Sequence, residues 1–320
     1  MPSGAAVVSF VAGGRAWAVS PGNGRTITCL FDVSDPGVFS WGPRGDRVAL
    51  SGLEVRGVGT SVSRPSAGVR APYFSWSRPT GTTVIFTRGD RHTLLRADMG
   101  TPNTRDITPV AGKTYGDMAY HPSGLAIGLV TADGSGSQIW MSTNQGQNPV
   151  VVVGAQAGTT FPHLVFAHDG KGLYYSIEKQ DGTHALGRYE LASGAANPAV
   201  WTGDAPVADM VELGGMPGLA LTLGAACESR RAVFSALDGS LDQRLDPGVS
   251  GPVSVVGRLD ADRFVVAAGG CGKPQDLYVV HRSGAAPQLL VRSVDAAALR
   301  IPEPTPPPPL PANLPRSGFA

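Results

Sequence analysis

Hydrolysis by a serine nucleophile needs an exposed serine on a Gly-x-Ser-x-Gly turn, with histidine and carboxylate partners further along the chain. The nearest segment, Asp133-Gly-Ser-Gly-Ser137, misses that pattern and falls where a hairpin turn is expected. Six histidines (His92, His121, His163, His168, His184 and His281) are scattered, without His-Glu-x-x-His spacing, and no cysteine pair has zinc spacing. His121 and His168 occupy corresponding turns of neighbouring repeat units, where local hydrogen bonding is the expected role and a shared rim the alternative. Asp260-Ala-Asp262 and Asp32-Val-Ser-Asp35 are short of the ligand-rich loop that calcium demands. A phosphate-cradling Gly-x-x-x-x-Gly-Lys-Ser/Thr is missing, and the glycines sit in β-turns rather than ahead of helices. Arg-Gly-Asp occurs at 44–46 and 88–90; it matches the integrin-binding tripeptide but reads as turn sequence. No catalytic residue, metal or cofactor is therefore expected.

The three cysteines divide into two kinds. Cys29 lies inside the apolar run Ile27 to Phe31 and reads as an inert buried thiol. Cys227 and Cys271 each follow a strand-like run, Leu219 to Ala226 and Phe264 to Gly270, and stand 44 residues apart. If that interval is one repeat, the two loops are equivalent on adjacent units and can bond. A disulfide there implies an oxidising compartment.

Charge is balanced, with 26 basic and 25 acidic residues for a net +1, which gives no electrostatic case for nucleic acid or an anionic membrane. The basic residues are 22 Arg against four Lys. Arg88, Arg91, Glu228, Arg230, Arg231 and Lys273 all fall in the loop after the second strand of a unit, so they are the candidate binding residues. A planar guanidinium making several directed hydrogen bonds suits an interface; a solvated charged edge is the plainer alternative.

What must position these groups is a repeat. An aromatic residue, a few turn-prone residues, a glycine and a β-branched strand recur in Phe39-Ser-Trp41-Gly-Pro-Arg-Gly45, Phe74-Ser-Trp76 to Gly81, Tyr120-His-Pro-Ser-Gly124 and Phe166-Ala-His-Asp-Gly170. Phe10-Val-Ala-Gly-Gly14 is read as a further copy, and Leu213 to Leu223 and Leu259 to Ala268 as degraded ones. The structural-repeat aromatics Phe10, Trp41, Trp76, Tyr120 and Phe166 are 31, 35, 44 and 46 residues apart. Second and third strand-like runs follow each copy, separated by Gly, Asp, Asn and Ser clusters of the kind hairpin turns require. Only Val294 to Arg300 has the makings of a helical turn. Four short antiparallel strands every 40–50 residues is the pattern of a β-propeller blade. The fold class expected is all-β: a propeller of seven four-stranded blades over residues 1–300, with six as the alternative.

The turns Trp41-Gly-Pro-Arg-Gly45, Tyr120-His-Pro-Ser-Gly124 and Phe166-Ala-His-Asp-Gly170 resemble those of the TolB-like, or PD40, WD40-like propeller family, whose blades carry an aromatic-Ser-Pro-Asp-Gly turn. The resemblance spans roughly residues 8 to 295 and implies a fold. Members bind proteins, bind or process sugars, or form the lid of serine peptidases, so it selects no single function.

Residues 301–320 differ, with eight prolines among the twenty. They are expected to form an extended, semi-rigid proline-rich tail. No apolar run is long enough to span a bilayer, and Met1 to Phe10 makes a poor signal peptide, so export calls for a leader or anchor outside this chain. The function expected is a non-enzymatic extracytoplasmic module for binding or sensing, presenting a rigid face to a protein or cell-wall glycan partner. The alternatives are an enzyme, a glycan lyase or hydrolase, using the central channel, and an excised sensory ectodomain of a larger membrane protein. A cytoplasmic home stays open.

Overall fold

The computed structural model describes residues 7–21, 27–32, 39–41, 47–50, 55–57, 62–63, 73–77, 82–98, 104–134, 136–212, 218–237 and 242–300, with side chains described outside 39–63 and 296–300. Apart from the short 3-10 turn Cys227–Ser229, the regular structure among these residues is all strand. The strands pair into seven antiparallel sheets. In order across each sheet, sheet 1 contains Ala296–Arg300, Val7–Ala12, Arg15–Val19 and Ile27–Asp32, and sheet 2 contains Phe39–Trp41, Arg47–Leu50, Val55–Gly57 and Val62–Ser63. Sheet 3 runs Phe74–Trp76, Thr83–Thr87, Leu94–Asp98 and Thr104–Asp106; sheet 4 runs Thr114–Tyr120, Ala126–Asp133, Gly136–Thr143 and Val150–Val153. Sheet 5 has a first strand in two pieces, Thr159–Thr160 and Leu164–Phe166, then Gly172–Lys179, His184–Glu190 and Ala195–Gly203. Sheet 6 is Val207–Glu212, Leu219–Leu223, Arg231–Ser235 and Gln243–Arg244; sheet 7 is Val253–Arg258, Arg263–Ala268, Gln275–His281 and Gln288–Val294.

Burial follows strand position. Second strands such as Thr83–Thr87 and Leu219–Leu223 are buried at every residue. Outermost strands are wet: Ala195 to Ala199 are all exposed, and Pro198 within them blunts the open edge. The sheets fall into two compact units, one of sheets 1, 2, 6 and 7 and the other of sheets 3, 4 and 5.

In the second unit, the faces of sheets 4 and 5 share a core of Ile139, Met141, Phe161, Phe166, Tyr175 and their neighbours. Side-chain oxygens also stitch first strands to the preceding sheet. The Tyr120 N–H donates to Ser75 Oγ at 3.2 Å, Phe161 N–H to Ser137 Oγ at 3.2 Å and Leu164 N–H to Asp117 Oδ2 at 3.1 Å. Sheets 6 and 7 use the same device in the other unit, where Val255 N–H donates to Thr222 Oγ1 at 3.0 Å. Gly187, in the third strand of sheet 5, leaves room for the buried Tyr175 ring, into which an added Cβ would run. Gly187→Ala is therefore expected to cost about 1–3 kcal/mol by overpacking, read as a lower urea midpoint with an unchanged slope.

The aromatic–turn–glycine reading places three side chains well. Trp76, Tyr120 and Phe166 each end a first strand, at 6%, 5% and 4% exposure. Trp41 ends the first strand of sheet 2 in the same register, opposite Val48; its side chain lies outside the described residues, as do residues 42–46 with the first Arg-Gly-Asp, Asp35, and the tail 301–320.

Three expectations are corrected. Phe10 is buried, 3% exposed, but stands on the second strand of sheet 1, one strand out of phase with the repeat. The first strand of that sheet is Ala296–Arg300, which pairs with Val7–Ala12 in the register Val7↔Arg300 to Val11↔Ala296. The same pairing overturns the helical turn over Val294 to Arg300, since it satisfies the backbone groups that a helix would otherwise have to bond internally. Cys29, expected to be buried, is exposed because Ile27–Asp32 is the outer edge of sheet 1.

Candidate functional site

The loops after the second strands of sheets 6 and 7 carry three of the candidate binding residues, Glu228, Arg230 and Lys273, and Arg231 opens the third strand of sheet 6 rather than lying in the loop. In sheet 6, Leu223 is followed by the 3-10 turn Cys227–Ser229, whose Cys227 carbonyl accepts the Arg230 N–H at 3.1 Å. The Arg230 carbonyl then accepts the Val253 N–H at 2.9 Å from the first strand of sheet 7. Across the gap, Cys227 and Cys271 form a disulfide, with Cα atoms 5.8 Å apart. The 44-residue interval is thus one repeat, as the spacing implied. This bond joins the loop bearing Glu228 and Arg230, which leads into Arg231 at the start of the third strand, to the loop bearing Lys273. Glu228 and Lys273 are exposed, Arg230 and Arg231 half-buried, and the Arg230 Nε is buried without a hydrogen-bond partner.

Arg88 and Arg91 belong to the equivalent loop of sheet 3, in the other unit. Arg88 is exposed, and its positive charge helps hold the Asp106 carboxyl below the usual range, after the hydrogen bonds from Thr108. Arg91 is fixed: its carbonyl accepts the Tyr115 N–H at 2.7 Å, its Nε donates to the Tyr115 carbonyl at 2.9 Å, and its guanidinium covers the Tyr73 ring at 5.1 Å.

A second cluster was not singled out from the sequence. The first strand of sheet 4 carries a bulge between Tyr115 and Met118, and sheet 5's first strand is interrupted before Leu164. Bulges re-aim side chains and gather near functional sites. Here they set Asp117 beside His163, with Oδ2 and Nδ1 3.6 Å apart and both side chains about a quarter exposed. Asp117 also accepts the N–H groups of Met118 at 2.9 Å and Leu164 at 3.1 Å. In sheet 6 the matching residue is Asp209, which takes the Met210 N–H at 2.8 Å in the same way. Asp117, His163 and Asp209 are spaced by 46 and 46 residues, each three before the end of a first strand. Extending the repeat three positions upstream of its aromatic would have exposed this signal. A carboxylate beside an imidazole can accept, donate or relay a proton.

Other sequence candidates resolve into local structure. His121 is fully buried: its Nε2–H donates to the Gly170 carbonyl of the next sheet at 2.9 Å, and Nδ1 accepts the Ser123 N–H at 3.1 Å. Burial holds its pKa below the ordinary value, against the raising effect of the Gly170 bond. The unfolded chain therefore binds a proton that the folded one refuses. Stability from this residue is complete above about pH 6.5 and is lost as pH falls toward the depressed folded pKa. Urea midpoints are expected to decline from pH 7.5 to 5, and His121→Asn to flatten that decline. Asp262 accepts from His281 Nδ1 at 2.9 Å and Ser283 Oγ at 3.0 Å, while Asp260 accepts the Asp262 and Arg263 N–H groups. Asp90 bonds the His92 N–H at 3.0 Å, making the second Arg-Gly-Asp a closed turn. Among the described residues, no three or more His, Cys, Asp or Glu side chains are grouped to hold a metal. No helix there is long and apolar enough to cross a membrane.

No protein-family model matches the chain, and no curated protein matches it by sequence. Solved structures do. A prolyl endopeptidase aligns at 13% identity and TM-score 0.63, over 94% of this chain and 51% of that one. TolB from Acinetobacter baumannii aligns at 13% and 0.54, over 93% of this chain and 65% of TolB. An oligogalacturonate lyase in complex with manganese aligns at 13% and 0.64, over 83% and 82%.

The fold is a β-propeller. At such identities the likeness carries the fold alone, and the chain spans only about half of the prolyl endopeptidase and 65% of TolB. The propeller's structural neighbours include TolB.

Proposed function

We propose that this propeller is an extracytoplasmic binding module, with a protein or cell-wall glycan partner, whose contact surface is the disulfide-tied pair of loops in sheets 6 and 7. The observation that carries the reading is the Cys227–Cys271 bond, which fixes two charged loops to each other and is at home in an oxidising compartment. A loop already tied loses less conformational freedom on association, so Arg230, Arg231 and Lys273 are offered at reduced entropic cost. Affinity in such a surface concentrates in a few arginine anchors.

Two measurements test it. The protein purified from its own cells without reductant should show one titratable thiol in denaturant, Cys29; three would remove the compartment assignment. Against a partner captured by the intact protein, Arg230→Ser with Arg231→Ser should weaken binding by about ten-fold or more, with an unchanged melting temperature. Undiminished binding would take these loops out of the function.

A further inference from the structure

We propose a second site, sharing no residue with those loops and independent of that reading: a receptor for one neutral, polyhydroxylated sugar unit in the groove between sheets 4 and 5. The groove has a volume of about 420 Å³, within the range of roughly 300–1,000 Å³ usual for small-molecule sites. Both sheets belong to the same compact unit. Three segments wall it: the hairpin after the second strand of sheet 4, residues 156–160 at the entry to sheet 5, and the end of the second strand of sheet 5 with Gln180 beyond it. Backbone bonds fix two of these walls, with Thr159 N–H donating to the Gln156 carbonyl at 3.1 Å and Gln180 N–H to the Gly158 carbonyl at 2.8 Å. The third wall stands close by, since a Cβ added at Gly136 would lie 3.7 Å from Ala155 Cβ. A groove already held in shape costs less ordering when a ligand enters.

The lining selects the ligand. Glycines and Ala157 apart, every residue in it has a polar side chain, and among the described residues that line it there is no aromatic ring or large aliphatic group. An apolar ligand would strip water from these polar groups and return no hydrogen bond. Glu178 and Lys179 supply one charge of each sign, so the groove favours neither an anion nor a cation. Thr160 and Glu178 are directly opposed on paired strands and share one face of sheet 5. The carboxamides of Gln156 and Gln180 are exposed, and each offers both donors and an acceptor. Among the described residues, neither carboxamide nor the Glu178 carboxylate is committed to a side-chain hydrogen bond. Gly158, at φ +66°, makes room for Gln180, whose Oε1 would stand 3.1 Å from a Cβ there. Hydroxyl groups donate and accept at once, so they match such a lining and replace the hydrogen bonds of the water they displace. A sugar ring carries several of them on a small neutral frame.

The test titrates the full wild-type chain with D-glucose, D-galactose, D-mannose and N-acetyl-D-glucosamine, each up to about 10 mM, by saturation-transfer NMR. At least one should bind, and D-glucuronate and D-glucosamine, each adding a charge, should bind no more tightly. Hydrogen exchange should slow at residues 156–160 and 178–180 when that sugar is present, and stay unchanged at 227–231. Gln156→Ala with Gln180→Ala should weaken binding about ten-fold or more at an unchanged melting temperature, both side chains being exposed. The tetramer of the bound sugar separates two sources: tighter binding assigns the site to a unit of a longer glycan, equal binding to the free sugar. Failure of all four sugars to bind, tighter binding of a charged analogue, exchange slowed only outside these segments, or binding of tri-L-alanine in their place would each overturn the proposal. Sugar binding here and partner binding at the disulfide-tied loops are separate readouts, so the failure of one leaves the other standing.

Discussion

Reducing the Cys227–Cys271 bond is expected to lower unfolding stability by roughly 4 kcal/mol. The bond closes a 44-residue loop, and the chain-entropy model converts that length into about this figure. Sheets 6 and 7 already share a core that includes Phe234, Phe264, Val253 and Val266. The folded state therefore changes little on reduction, and the effect acts through the freedom regained by the unfolded chain. The measurement is a urea titration of the oxidised protein, the reduced protein and the Cys227→Ser, Cys271→Ser double variant. The last two should coincide, well below the first. If all three coincide, the bridge contributes nothing and the compartment assignment built on it falls as well.

Phe166→Ala should cost about 3–5 kcal/mol, the range for deleting a buried aromatic ring and leaving its cavity. Phe166 is 4% exposed, at the end of the first strand of sheet 5. Its ring packs on Gly128 of sheet 4, where an added Cβ would lie 3.3 Å away, and meets the His121 ring edge-on at 5.1 Å. The two sheets thus press together through an aromatic over a glycine. A double-mutant cycle separates this contact from general loss of burial. Gly128→Ala should destabilise the wild type, where the ring is in the way, and be neutral or stabilising beside Phe166→Ala, where the methyl enters the vacated space. Additive effects would mean that the ring and the glycine do not press on each other.

The strands were legible because their signals are local. Thr83-Val-Ile-Phe-Thr87 is β-branched and aromatic throughout, and Gly124 and Gly170 supply the positive φ, +73° and +65°, that the preceding turns need. The disulfide was legible for a related reason, since two cysteines one repeat apart fall on equivalent loops of neighbouring sheets. The Asp117–His163 pair was not, because the bulge that turns Asp117 toward the next sheet leaves no mark in composition; Gly116-Asp-Met reads as an ordinary strand interior. Arg91 was picked out as a charge on a loop, while its clamp on Tyr115 depends on a strand 24 residues away.

Sequence alone therefore determined the all-β class, the hairpin turns, the aromatic at the end of the first strands and the spacing of Cys227 and Cys271. Tertiary structure decided which strand completes sheet 1, and with it the fate of Phe10, Cys29 and Val294 to Arg300. Turn chemistry and strand propensity act over a few residues, so they show in the order of amino acids. Pairing Val7 with Arg300 joins residues at nearly opposite ends of the chain, and is chosen by which open sheet edge each strand meets once the blades have packed.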